Sequence, residues 1–110
     1  MTTSIFPASV PLPAAASGAD DWQHGGSQPY RVIFGTSPHI DGRPDVILFP
    51  TAVQLPDGSI DNGSRIEPPV VYIDVTTERG LTAAQARALG AALGDAAALL
   101  DRWEQFTPGD

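Results

Sequence analysis

Hydrophobic positions along the chain form three short alternating runs followed by one long run with helical spacing. The runs YRVIFG from Tyr30, DVILFPTAVQL from Asp45 and VVYIDVTT from Val70 are rich in β-branched and aromatic residues and predict strands. Within Gly80–Trp103, apolar residues recur every three to four positions and predict an amphipathic helix. This order predicts an α+β fold: a small antiparallel sheet of three or four strands with one C-terminal helix packed on a face.

The second of these strands is apolar on both of its faces. Its side chains alternate, with Val46 and Leu48 on one face and Ile47, Phe49 and Thr51 on the other. This pattern predicts a strand that is buried on both sides up to Pro50. Because proline cannot donate a hydrogen bond to a ladder, Pro50 predicts a sheet edge or a bulge.

Residues 1–28 show no sustained hydrophobic period and are rich in proline, alanine and glycine, which predicts a flexible tail. This segment contains two aromatic residues, Phe6 and Trp22. Trp22 is predicted to fold back onto the domain, and the alternative is that it anchors a partner. A single β-β-β-α domain is predicted over residues 29–106, followed by a short C-terminal tail at residues 107–110.

The predicted helix has a well-defined beginning. Thr82 at the N-cap and Gln85 three residues later match the capping-box pattern. At 100° per residue, one narrow apolar stripe is predicted to face the sheet. It consists of Leu89, Leu93, Ala96 and Leu100.

Two glycines, Gly90 and Gly94, interrupt the helix four residues apart. Each costs about 1 kcal/mol of helix stability relative to alanine, so their presence predicts close approach of a second backbone. That backbone belongs either to the protein's own sheet or to the same helix of a second subunit. The outer face of the helix is mostly alanine with few charges, which favours self-association. The predicted interface consists of Leu89, Gly90, Leu93, Gly94 and Trp103.

Charge and composition narrow the possible partners. The formal net charge is -7, the sequence pI is about 4.4, and all six basic residues are arginine, so direct nucleic-acid binding is disfavoured. The absence of cysteine excludes disulfides, thiolate metal sites and a cysteine nucleophile. No apolar run approaches the ~20 residues of a membrane span. The N-terminal segment lacks the basic start of a signal peptide, which predicts a cytoplasmic protein.

Candidate chemistry is confined to the loop SPHID, where Ser37, His39 and Asp41 alternate. A serine triad needs an elbow or an oxyanion arrangement, and the sequence contains no G-x-S-x-G. A polar turn is therefore the preferred interpretation, with a catalytic site as the alternative. The zinc spacings H-x-x-x-H and H-E-x-x-H and the glycine-rich nucleotide motifs are missing as well. No metal and no cofactor are predicted.

The ending VVYIDVTTERGLTAAQARALGAALGDAAALLDRW resembles the C-terminal part of many short uncharacterised proteins of actinobacteria and their phages. The matched positions are Leu81, Thr82, Ala86, Leu89, Leu93, Ala96 and Ala97. The resemblance covers about a third of the chain. It implies a strand-helix unit and an actinobacterial or phage setting, and it carries no catalytic residue across.

Three functions follow from these observations. The leading prediction is a non-enzymatic, small acidic interaction or regulatory protein that acts through a protein-protein surface as a homodimer. The alternative is an acidic mimic of nucleic acid that occupies the basic surface of a DNA- or RNA-binding protein. Its candidate carboxylates are Asp57, Asp61, Glu67, Asp74 and Glu78. The third is a small-ligand binder or enzyme centred on His39.

Overall fold

The computed structural model describes residues 10–25, 28–36, 39–75 and 78–107. Its elements are β1 (Gly18–Ala19), β2 (Gln23–Gly25), β3 (Gln28–Phe34), β4 (Val46–Gln54), β5 (Val70–Val75) and α1 (Ala83–Glu104). The strands form one antiparallel sheet in the order β1-β3-β4-β5, with β2 also paired to β3. The predicted α+β fold with one C-terminal helix is confirmed.

The sheet begins earlier in the chain than the predicted boundary at residue 29. β1 pairs with the end of β3 at Ile33, and β2 pairs with its beginning at Tyr30. Three residues lie between Ala19 and Gln23, whereas two lie between their partners on β3, so this edge contains a bulge. Residues 18–25 therefore belong to the sheet and not to a flexible tail. Their pairing uses main-chain hydrogen bonds, which leave no hydrophobic period in the sequence. The rest of the predicted tail at residues 1–9 lies outside the described residues.

Trp22 folds back onto the domain, where the guanidinium carbon of Arg31 lies 4.8 Å from the centroid of its ring. Arg31 also donates through Nε to Oε1 of Gln54 at 2.7 Å and through Nη2 to the carbonyl of Val10 at 2.7 Å. The amide of Gln54 donates in turn to the carbonyl of Pro11 at 2.9 Å. These contacts fix the N-terminal segment to the ends of β3 and β4.

Helix α1 packs across β4 and β5 and covers one face of the sheet. The side chains between the two layers form two clusters, one around Leu48 and Ala92 and one around Ile33 and Trp103. The predicted stripe is confirmed, because Ala96 is buried and Leu89, Leu93 and Leu100 are half-buried against these clusters. The capping box is confirmed too, with reciprocal hydrogen bonds of 3.1 Å between Thr82 and Gln85.

Pro50 lies in an inner strand, so the prediction of a sheet edge or bulge at this residue was wrong. β4 pairs with β3 on one side and with β5 on the other without interruption. The carbonyl of Pro50 accepts from the N–H of Gly35 at 3.1 Å, one residue beyond the end of β3. The missing N–H of proline therefore faces the place where the neighbouring strand ends, which explains why an inner strand tolerates it.

Arg43 is buried although it is charged, and it joins three parts of the chain. Its guanidinium donates to both carboxylate oxygens of Asp45 at 2.9 and 2.8 Å and to the carbonyls of Gly80 and Arg79 at 2.7 and 3.0 Å. The bidentate pairing with Asp45 raises the pKa of Arg43. This side chain therefore holds the loop before β4 against the segment that leads into α1.

Among the described residues, no second backbone approaches the two helix glycines. Both are exposed, and beyond their own helix the described residues leave open space where a side chain at Gly90 or Gly94 would begin. Alanine at both positions is expected to raise the free energy of unfolding by about 1 kcal/mol per site, because alanine loses less backbone entropy in a helix. Urea unfolding measures this, and a loss of stability or of dimer formation would instead place a close neighbour against the glycines.

Candidate functional site: the open face of the sheet

Within the part of the chain that the structure describes, no helix packs against one of the two faces of the sheet. We call this surface the open face and define it by its central side chains, Val32, Phe34, Phe49, Thr51 and Tyr72. They belong to β3, β4 and β5 and point away from α1, since their neighbours Ile33 and Leu48 point into the core. Three of the five side chains on the open face are aromatic.

The aromatic side chains of the open face are held close together by strand pairing. Phe49 lies directly opposite Tyr72 across β4 and β5, and Phe34 lies directly opposite Thr51 across β3 and β4. Directly opposed side chains have Cβ atoms about 5 Å apart. Between them runs an open groove of about 490 Å³, with Asp20 at its border. The groove is shallow and its walls are mainly hydrocarbon.

The exposure of this surface is unusual for a sheet in a small protein. Antiparallel sheets with one solvated face normally carry polar residues on that face. Here Phe34, Phe49 and Tyr72 remain 36, 39 and 51 % exposed. Contiguous apolar surface of this kind marks a site of interaction in soluble proteins. The sequence pattern of β4, apolar on both sides, predicted a strand buried on both faces, but α1 covers only one of them.

A chain of hydrogen bonds connects the open face to the loop that precedes β5. The hydroxyl of Tyr72 donates to the carboxylate of Glu67, and this hydrogen bond raises the pKa of the phenol. The backbone N–H of Glu67 donates to Oδ2 of Asp61 at 3.0 Å. Asp61 is 2 % exposed and fixes the loop that precedes β5. The orientation of Tyr72 on the open face therefore depends on a carboxylate eleven residues earlier in the chain.

The interface predicted on α1 is divided between two environments. Leu89 and Leu93 are half-buried against the core around Leu48, and Trp103 is fully buried in the second cluster. Gly90 and Gly94 are exposed on the outside of the helix. The large side chains of this set therefore pack against the protein's own sheet, while the glycines face solvent.

The loop with the candidate polar site is exposed. His39 faces solvent and pairs through its backbone with Ile47 in an isolated bridge. Asp41 is exposed and borders a separate groove of about 320 Å³ beside the beginning of α1. Ser37 lies outside the described residues. Over the ranges that the structure describes, no three histidine or acidic side chains converge in an arrangement that could hold a metal ion.

The acidic residues proposed for nucleic-acid mimicry have different surroundings. Asp61 is buried, and Glu67 accepts the hydroxyl of Tyr72. Asp57 accepts the hydroxyl and the N–H of Ser59, and these bonds lower its pKa. Asp74 and Glu78 are exposed. Three of the five carboxylates are thus engaged in hydrogen bonds within the chain.

Comparison with protein-family models, with curated proteins and with solved structures found no match to the chain. Among its described segments, no helix combines the length and the apolar character that crossing a membrane requires. The open face is the largest exposed apolar feature formed by β3, β4 and β5 together. Sequence patterns indicated its strands and their two-sided apolar character, but not that Phe34, Phe49 and Tyr72 would remain exposed together.

Proposed function

We propose that the protein is a non-enzymatic interaction or regulatory protein that works as a homodimer and binds a protein partner through the open face. One observation carries this proposal: an apolar groove with three exposed aromatic side chains on a folded, well-packed sheet. Aromatic anchors surrounded by polar residues are the usual centre of a protein-protein interface.

The border of the open face indicates the chemistry of the partner. Asp20 borders the groove, Asp74 follows Tyr72 on the same face, and the whole chain carries a formal net charge of -7. A matching partner presents an apolar patch with arginine or lysine around it, because opposite charges at the rim speed association and exclude wrong partners. The expected partner is therefore a protein surface with protruding apolar side chains. A nucleic acid is disfavoured, because the acidic border would repel its phosphate backbone.

Photo-cross-linking in the cells that make the protein tests this proposal. Benzoylphenylalanine at position 49 keeps an aromatic ring on the open face, and the same group in place of the exposed Arg87 serves as the control on the outside of α1. We expect position 49 to give a discrete product with another protein and position 87 to give at least tenfold less. The reason is that position 87 lies on α1, away from the open face, so a cross-linker there does not contact a partner bound to the open face.

A matched pair of substitutions separates binding from folding. Phe34 on the open face and Leu81 before α1 are each 36 % exposed, so Phe34→Ser and Leu81→Ser remove apolar side chains of equal exposure. With the cross-linker at position 49, Phe34→Ser is expected to lower the yield at least tenfold and Leu81→Ser to leave it unchanged. Equal yields from positions 49 and 87, or equal effects of the two serine variants, would contradict the proposal.

A further inference from the structure

One outer edge of the sheet is covered by further strands, and the other is not covered by any described strand. Residues 18–25 run along the outer edge of β3 and pair with it. Within the described residues, no strand pairs with the outer edge of β5. β5 has the sequence VVYIDV, with one charged residue and no lysine or proline, which are the usual means of blocking an edge. This strand is therefore able to pair with a further strand.

The backbone groups that face the free edge can be identified from the neighbouring strand. Since the carbonyl of Pro50 accepts from Gly35, the backbone of Pro50 faces β3. Successive residues of a strand direct their backbone groups to opposite sides, so the backbone of Phe49 faces β5 and that of its partner Tyr72 faces β4. The residues of β5 whose N–H and C=O groups face outward are Val71, Ile73 and Val75.

These outward groups select one register for a second copy of β5. In an antiparallel pair, outward residues must pair with outward residues. Placing Ile73 opposite Ile73 of the second copy also places Val71 opposite Val75, so all three outward residues of each strand are hydrogen-bonded. Moving the strands by two residues in either direction loses one of these three pairs. The register centred on Ile73 is therefore the one that satisfies the most backbone groups.

The side chains of β5 are compatible with this register. Ile73 and Val75 are 51 and 50 % exposed beside α1, so pairing with a second copy removes apolar surface from water on the helix side. Asp74 comes opposite Tyr72, and the two Asp74 carboxylates are not opposed to each other. Like charges directly opposite would destabilise the pair, whereas apolar pairs stabilise it.

We infer that the homodimer forms by antiparallel pairing of β5 with β5 of a second copy, centred on Ile73, to give one continuous sheet. This inference rests on the homodimer named in the proposed function and specifies its interface. The two helices then lie on the same side of the sheet. On the other side, the two open faces become neighbours across the seam, where Tyr72 of each copy lies opposite Asp74 of the other.

Cysteine cross-linking tests the register, because the chain has no cysteine of its own. In the inferred dimer, the Cα atoms at position 73 are about 5.5 Å apart, within the range that a disulfide spans. Those at position 74 are about 8 Å apart, which is beyond it. On mild oxidation we expect Ile73→Cys to form a covalent dimer in high yield and Asp74→Cys, the matched control, to give at least tenfold less.

A second pair of variants tests the edge without cysteine. Ile73→Lys places two like charges opposite each other at the seam and is expected to reduce the solution mass from twice 11.5 kDa to 11.5 kDa. Ile66, 44 % exposed in the loop before β5, provides the control, and Ile66→Lys is expected to remain dimeric. Both side chains are substantially exposed, so neither lysine disturbs the core.

The possible outcomes separate this inference from the proposed function. If the unaltered chain is dimeric but Ile73→Lys stays dimeric and Ile73→Cys does not cross-link, the β5 interface is wrong and the homodimer stands. If the unaltered chain is monomeric at every concentration, the homodimer itself is wrong, and this inference falls with it. Efficient cross-linking at position 74 instead of position 73 would overturn the register.

Discussion

Replacing Trp103 with alanine is expected to lower the free energy of unfolding by about 4 kcal/mol, because deletion of a buried tryptophan side chain leaves a large cavity. Trp103 is fully buried and joins α1 to Ile33 on β3 and Ala52 on β4. Small domains are stable by about 5–15 kcal/mol in total, so this variant retains little stability. Urea unfolding followed by circular dichroism measures the change.

The phenylalanine variant is the control for this prediction. Trp103→Phe keeps most of the apolar volume, and it removes the indole N–H, for which no hydrogen-bond partner is found among the described residues. We expect a loss of about 1 kcal/mol, since the small cavity is partly offset by removal of an unpaired buried donor. If alanine cost no more than phenylalanine, Trp103 would not be the main contact between the end of α1 and the sheet.

Asp61→Asn is expected to lower the free energy of unfolding by about 3 kcal/mol, because the buried side chain loses acceptors for two of its four backbone N–H donors. Oδ1 of Asp61 accepts from the N–H groups of Gly63 and Arg65 at 3.1 and 3.3 Å. Oδ2 accepts from those of Ile66 and Glu67 at 2.6 and 3.0 Å. An asparagine amide keeps one acceptor oxygen and turns N–H donors towards the other pair of donors.

The same carboxylate gives the stability a pH dependence. Burial by itself raises the pKa of Asp61, but the four backbone N–H groups favour the ionised form and bring the pKa below its usual value. The stabilisation is therefore present above the unfolded-state pKa of about 3.9 and is lost as the pH falls through the lower folded-state pKa.

Unfolding free energies measured between pH 7 and pH 2 test this dependence. The free energy of unfolding of the unaltered chain is expected to fall as the pH is lowered. Asp61→Asn is expected to remove part of this fall, whereas Asp41→Asn, at an exposed turn, is expected to keep all of it. A decline of the same size in Asp61→Asn and in the unaltered chain would show that other groups cause it.

Most of the architecture could be predicted because it is encoded locally. The alternating runs from Tyr30, Asp45 and Val70 correspond to β3, β4 and β5, and Thr82 with Gln85 defines the beginning of α1. These elements depend on side-chain periodicity and on contacts between residues three or four apart. Such signals are visible in one sequence.

The remaining features depend on contacts between distant parts of the chain. Arg43 donates to Gly80, 37 residues away, and no local pattern distinguishes it from an exposed arginine. The pairing of β1 with β3 and the tolerance of Pro50 in an inner strand depend on where neighbouring strands begin and end. The sequence predicts that both faces of β4 are apolar, but the face that remains uncovered is known only once α1 has been placed.

Light scattering on the unaltered, purified chain across a concentration series is the most direct test of the proposed homodimer. We expect a mass of twice 11.5 kDa that falls towards 11.5 kDa only on strong dilution. If that dimer forms through β5, the open faces of the two copies lie side by side on one sheet. A mass of 11.5 kDa at every concentration would contradict the homodimer and the β5 interface together.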